Sequence, residues 1–147
     1  MATVEILDTP SYTLVYHEEG KIIHHTLKPP MEADDTRDKH KGKAISKWQR
    51  LLTVGTEVLV EHGATKWIGD NRALTKALPA ADEEWIQNTW QRDAIARGWK
   101  YWALVVPESL VGQADMIKYV ESLYEKGLRV TVHSTLEAAF EQLRSYD

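Results

Sequence analysis

Three consecutive polar residues, Asp70, Asn71 and Arg72, directly follow a short apolar segment of the chain. A carboxylate, an amide and a guanidinium at the end of one strand can orient a polar ligand or the backbone of a partner protein. The same residue types are common in turns, where Asp and Asn bond their own backbone and Arg pairs with a neighbouring acid. On the sequence, a binding site and a plain turn both stay open.

Histidines form a second group with potential chemistry, at His17, His24 and His25 on either side of a Gly-containing turn. The predicted hairpin register sets His17 opposite Ile22 and His24 opposite Val15, which makes His17 and His24 diagonal neighbours on one face. Two imidazoles supply only half of a tetrahedral metal site, and no cysteine or suitably spaced carboxylate completes it. We therefore expect solvated or interface histidines and no metal.

The familiar catalytic motifs are missing from the sequence. Ser109 and Ser134 have no histidine–acid pair at a recognisable spacing, and no G-x-S-x-G elbow is present. Glycine-rich phosphate loops are missing as well. Because no pair of titratable groups is placed in acid and base roles, an enzyme is the least favoured class, and no cofactor is expected.

Composition excludes several other classes of protein. The 147 residues carry 18 Lys and Arg against 22 Asp and Glu, and they include no cysteine. Disulfides and thiolate zinc sites are thus excluded, and the slightly acidic balance argues against nucleic-acid binding. No segment approaches the ~18 consecutive apolar residues of a membrane span, and the N-terminus lacks the pattern of a signal peptide. We expect a cytoplasmic location.

Six tryptophans against one phenylalanine are the unusual part of the composition. They stand at positions 48, 67, 85, 90, 99 and 102. Such a set can line an apolar cavity or form a stacking platform. Several of the six fall on inward-facing positions of predicted helices and strands, so ordinary core packing is the favoured interpretation.

The spacing of apolar residues predicts the elements that position these groups. The predicted order is β-β-β-α-β-α-β-α-β-α, in a single domain spanning residues 1–147. The strands are 3–7, 12–17, 22–27, 65–69, 99–106 and 129–133, the helices are 43–62, 82–98, 113–126 and 135–143, and residues 32–43 form a charged connecting loop. A meander followed by alternating strands and helices indicates an α/β domain with a mixed sheet and right-handed crossovers.

Ligands of open α/β sheets gather beyond the carboxyl ends of the parallel strands. This edge brings together the segments that follow the strands at 65–69, 99–106 and 129–133. The candidate ligand- or partner-binding residues are Trp67, Asp70, Asn71, Arg72, Trp102, Pro107, Glu108 and Ser109.

Several segments from about Lys43 onward resemble the uncharacterised bacterial STAS/SEC14-like, or SpoIIAA-like, proteins. They are the helix end at 61–67, the strand end at 70–72, the segment 98–103 and the segment 107–109. The resemblance implies a STAS-type domain that forms a homodimer. In the better-known relatives, the anti-sigma factor antagonists, a Ser or Thr just after the strand's Asp is phosphorylated. This chain has Asn71 and Arg72 there and its nearest hydroxyl at Thr75, so the phosphoswitch is not carried over.

Two functions follow from the resemblance. A regulatory or protein-interaction module would bind a partner through the strand-end loops, and this hypothesis predicts no buried cavity. A SEC14-like domain would bind a lipid or small apolar molecule in a closed pocket near Trp67, Trp85 and Trp102, with Asp70 or Arg72 at its mouth. Under either hypothesis, replacing Asp70 and Arg72 with Ala should abolish binding and leave the melting temperature nearly unchanged.

Overall fold

The computed structural model describes residues 3–29, 38–74 and 78–146. Its first three strands, β1 (Thr3–Asp8), β2 (Tyr12–His17) and β3 (Ile22–Leu27), pair as an antiparallel meander. In the β2–β3 hairpin, His17 pairs with Ile22 and His24 pairs with Val15. The register predicted from the turn is therefore confirmed.

A short hairpin follows where the sequence predicts a charged loop. Strands β4 (Asp38–His40) and β5 (Lys43–Ile45) are antiparallel, and they are joined by Lys41 and Gly42 with φ of 51° and 83°. Two consecutive positive φ values are typical of a two-residue type I′ hairpin turn, which this sequence forms without any apolar alternation. The first part of the predicted loop, residues 32–37, lies outside the described residues.

The rest of the chain alternates helices and strands. The elements are α1 (Lys47–His62), β6 (Lys66–Asp70), α2 (Ala80–Trp85), a π-helical segment (Ile86–Trp90), α3 (Gln91–Ala96), β7 (Tyr101–Val105), a 3₁₀ turn (Glu108–Leu110), α4 (Ala114–Glu125), β8 (Arg129–His133) and α5 (Leu136–Arg144). Helix α1 begins later than predicted because Ser46 caps it, accepting a hydrogen bond from the Gln49 N–H. Asp82, predicted as a helix cap, lies inside α2 and accepts a hydrogen bond from the Ser46 hydroxyl at 2.7 Å.

The strands form one six-stranded mixed sheet with the order β1-β2-β3-β6-β7-β8, in which β3, β6, β7 and β8 are parallel neighbours. The predicted α/β class with a mixed sheet is thus confirmed. The parallel strands follow one another in chain order, and the connections between them place α1 to α4 on one face of the sheet, whereas α5 packs on the other. We call these the helix-rich face and the α5 face.

Side chains alternate between the two faces along each strand. Trp67 points into the large core on the helix-rich face, whereas Ile68 points into the small core against Ala139 and Leu143 of α5. The fit above Trp67 needs a glycine in α1, because a Cβ at Gly55 would collide with the indole ring. None of the helices among the described residues has both the length and the apolarity of a membrane span.

Candidate functional site

The predicted cluster at the end of β6 is divided between the two faces of the sheet. Asp70 lies on the α5 face and is 3% exposed. Arg72 forms a bidentate ion pair with it, in which the Nε–Oδ1 and Nη2–Oδ2 distances are 2.9 and 2.8 Å. Burial acts to raise the pKa of Asp70, but the hydrogen bonds and charge of Arg72 outweigh it and hold this pKa below its usual value. Asp70 and Arg72 thus satisfy each other.

Asn71 instead joins a buried relay on the helix-rich face. The Trp67 indole N–H donates to Nδ1 of His25 at 3.0 Å, and Nε2 of His25 lies 2.8 Å from Oδ1 of Asn71. Since an indole can only donate, Nδ1 of His25 must accept and Nε2 must carry the proton. Complete burial lowers the pKa of His25 to about 4, so the ring is neutral at pH 7.

This relay borders a cavity of about 230 Å³ at the carboxyl ends of β3 and β6, with Trp102 of β7 beside them. Helix α1, the segment after β6, the π-helical segment and α4 close it from above. Most of its surface is apolar, contributed by Trp48, Leu52, Leu74, Leu78, Ile86, Trp90 and Trp102. Its polar residues are His25, Asn71, Glu83, Gln87 and Tyr119.

The π-helical segment contributes three residues to the cavity wall. Ile86, Gln87 and Trp90 all belong to it and all line the cavity. The Trp90 indole N–H is fixed by donating to the Thr56 hydroxyl at 2.8 Å. The sequence predicts an ordinary helix here, but π-helical turns inside α-helices occur frequently at functional sites.

Trp102 lies at the base of the cavity over a glycine. A Cβ at Gly69 would be only 3.0 Å from both Nε1 of Trp102 and Cε1 of His25, so the missing side chain lets both rings lie against the sheet. Trp102 is 6% exposed, and among the described residues its buried indole N–H finds no acceptor. A buried donor without a partner costs about 1–3 kcal/mol, and such a group requires an explanation.

The electrostatic character of the cavity is neutral to negative. Burial raises the pKa of Tyr119 to about 12, with the Glu83 carboxylate adding to the rise while a hydrogen bond from Gln91 opposes it. Glu83 itself is exposed at the rim and accepts a hydrogen bond from Gln87 at 3.2 Å. Among the described residues that line the cavity there is no Lys or Arg.

The remaining candidates from the sequence lie elsewhere. Trp67, the first member of the relay, is wholly buried in the core and does not line the cavity. Trp85 lines a separate depression beside α1. Pro107, Glu108 and Ser109 follow β7 and do not line the cavity; Glu108 and Ser109 are exposed. Thr75 lies outside the described residues. Of the predicted site residues, the structure therefore brings Asn71 and Trp102 together at the cavity.

The histidine pair of the hairpin lies on the α5 face. Nε2 of His17 is 3.1 Å from Nδ1 of His24, and the Phe140 ring meets both imidazoles edge to face. Burial lowers the pKa of His24 to about 4, with the neighbouring His17 adding to the effect. Within the described ranges, no group of three or more His, Asp or Glu side chains is spaced to hold a metal ion.

Comparison of the chain with protein-family models, with curated proteins and with solved structures finds no match. The resemblance to STAS/SEC14-like proteins therefore stays a prediction.

Proposed function

We propose that this protein is a binding domain for a small, largely apolar molecule that carries a hydrogen-bond acceptor, held in the cavity between the sheet and α1, the π-helical segment and α4. The observations that support it most are the cavity itself and Trp102, a lining residue whose buried indole N–H has no acceptor among the described residues. An acceptor on the ligand would remove the cost of that buried donor.

The size and lining of the cavity support a compact ligand. Its volume of about 230 Å³ lies just below the range of ~300–1,000 Å³ typical of drug-sized ligands. An apolar wall with a few convergent polar groups is the usual form of a small-molecule site, and the carboxyl edge of parallel strands is its usual place. Asn71 adds a second donor, because its carbonyl oxygen is engaged by His25 while its amide nitrogen is left to face a ligand.

The cavity favours the ligand hypothesis over a pure interaction module, which predicts a solid core. It differs from the predicted pocket in its residues, since Trp48 and Trp90 replace Trp67 and Trp85 as the aromatic walls. A STAS-like regulatory role, a homodimer and a SEC14-like lipid ligand stay predictions from the resemblance.

Ligand-observed saturation-transfer NMR with 3,3-dimethyl-1-butanol tests this proposal. The alcohol is compact and apolar, and its oxygen can accept from Trp102. We expect binding in the millimolar range, because this affinity corresponds to about 4.1 kcal/mol and needs only about 0.6 kcal/mol from each of the seven non-hydrogen atoms, well below the ceiling of ~1.5 kcal/mol.

A cavity-filling variant and a matched control make the test specific to the site. Leu74→Trp, at the cavity wall, should weaken binding at least about tenfold, which is 1.4 kcal/mol. Leu110→Trp makes the same change at an exposed leucine outside the cavity and should leave binding unchanged. Equal binding to both variants, or no binding of either the alcohol or its charged analogue choline to the wild-type protein, would contradict the proposal.

A further inference from the structure

Four aromatic side chains surround the cavity: Trp48, Trp90, Trp102 and Tyr119. The Trp90 and Trp102 rings are 6.2 Å apart between centroids with an interplanar angle of 84°. The Trp102 and Tyr119 rings are 6.3 Å apart at 72°. The Trp102 ring therefore stands at a steep angle to both Trp90 and Tyr119, as adjacent walls of an aromatic box do.

The charges around this box favour a cation. Glu83 is the acid among the described lining residues, and its field reaches far enough inside to act on the Tyr119 hydroxyl. His25 is neutral at pH 7 and brings no opposing charge. Aromatic rings attract cations through the negative potential of their faces, by about 0.5–1 kcal/mol at exposed sites and ~2 or more where water is excluded.

We propose that the ligand of this cavity carries a methylated ammonium group, bound among the aromatic walls with Glu83 as its counter-charge. This inference rests on the proposed function and specifies its ligand class. A quaternary ammonium has no N–H groups that need acceptors, so an aromatic box can hold it without leaving donors unpaired.

The other charge types fit the same lining less well. An anion would face the Glu83 carboxylate with no Lys or Arg among the described lining residues to compensate it. A primary ammonium would bring three N–H donors into a wall made mostly of hydrocarbon. A hydroxyl near the methylated head, as in choline, would serve Trp102 as the acceptor that it lacks.

Choline and 3,3-dimethyl-1-butanol form a matched pair for the test, since they have the same shape and differ in the charged nitrogen. For the wild-type protein, we expect choline to bind about tenfold more tightly than the alcohol in the same NMR titration. Glu83→Gln should weaken choline binding about threefold to tenfold and leave the affinity for the alcohol unchanged. Glu84→Gln, at the next residue, which is also exposed but lies outside the lining, is the control and should change neither affinity.

The outcomes separate this inference from the proposal on which it rests. Equal affinities for choline and the alcohol, or no effect of Glu83→Gln on choline, would overturn the cation and leave the binding function standing. Failure of both probes to bind would overturn the binding function itself. Choline binding that Glu83→Gln and Glu84→Gln weaken equally would overturn the role of Glu83 and indicate attraction to surface charge alone.

A methylated ammonium can be free or can belong to a lipid headgroup, and a further arm distinguishes these sources. Vesicles of dioleoylphosphatidylcholine should not bind, because the headgroup phosphate would lie near Glu83, whereas free choline should. Vesicle binding that excess choline abolishes would support the same ammonium chemistry with the lipid as its source. Vesicle binding that choline does not affect would overturn the assignment of the group to this cavity.

Discussion

The two faces of the sheet differ in what surrounds their polar side chains near the end of β6. On the α5 face, Asp70 is gripped by Arg72, and His17 is in hydrogen-bond contact with His24. On the helix-rich face, the relay that ends at Asn71 borders a cavity. One residue step along the strand separates the two arrangements.

The difference shows where a ligand can gain free energy. Polar groups that already bond one another offer a ligand little, because each new contact would have to replace an existing one. Trp102 has an unused donor beside an apolar space, so an incoming acceptor adds a hydrogen bond without breaking another. We therefore place the proposed binding site on the cavity side, whereas the polar groups of the α5 side are engaged with one another.

The largest expected effect comes from breaking the relay. His25→Leu removes the acceptor of the buried Trp67 N–H and the donor to the half-buried Asn71 carbonyl, leaving both unpaired at a cost of about 1–3 kcal/mol for each group that stays shielded from water. We expect a loss of roughly 4 kcal/mol in the free energy of unfolding, measured by urea denaturation.

The neighbouring substitution His24→Leu, on the α5 face, is the control: it removes the contacts of His24 with His17 and Thr26, which are both half-buried, and should cost about 1–2 kcal/mol at a typical net worth of ~1 kcal/mol for each hydrogen bond. Equal losses in the free energy of unfolding for the two variants would mean that the relay stabilises the fold no more than the histidine contacts on the α5 face do.

The second effect is a pH dependence of stability. The folded pKa values of His24 and His25 are both lowered to about 4 from 6.5, because burial disfavours the charged ring. Below pH 6.5 these histidines bind protons in the unfolded chain but not yet in the folded chain. Their contribution to the free energy of unfolding is therefore fully present above this pH and declines as the pH falls towards 4.

For His25 alone, the lost stability amounts to roughly 3 kcal/mol over this window. Urea denaturation between pH 7 and 4 should therefore show a shallower decline for His25→Leu than for the wild-type protein. Parallel curves would mean that His25 keeps a normal pKa.

The smallest effect concerns the ion pair on the α5 face. Arg72→Ala leaves the buried Asp70 carboxylate with fewer partners, but the Arg72 side chain is 44% exposed, so solvent screening limits the loss to about 1 kcal/mol. Binding of 3,3-dimethyl-1-butanol should change less than about twofold. Abolished binding with an unchanged melting temperature, the result expected from the sequence alone, would instead place Arg72 at the mouth of the site.

Local patterns in the sequence predicted much of this fold. The Gly20 turn fixed the hairpin register, and the change of period at residue 45 separated the meander from the α/β half. The β4–β5 hairpin was missed because its turn residues, Lys41 and Gly42, stand among charged residues without apolar alternation. The π-helical segment has no sequence signature and was missed for that reason.

The site was harder to predict because its contacts are not local. His25 and Asn71 are 46 residues apart and meet only because β3 and β6 are neighbours in parallel register. The alternation along β6 also places Asp70 and Asn71 on opposite faces, which a three-residue motif does not reveal. A register prediction for β3 and β6 would have shown that His25 faces Gly69.

The most direct test of the account follows the indole N–H signals of the six tryptophans in a ¹H–¹⁵N spectrum during titration with 3,3-dimethyl-1-butanol. Trp102→Phe assigns the critical signal. We predict that the Trp102 signal shifts most, while those of Trp67, Trp90 and Trp99, whose N–H groups already have acceptors, move little. A Trp102 signal that stays in place while the ligand binds would contradict the proposed site.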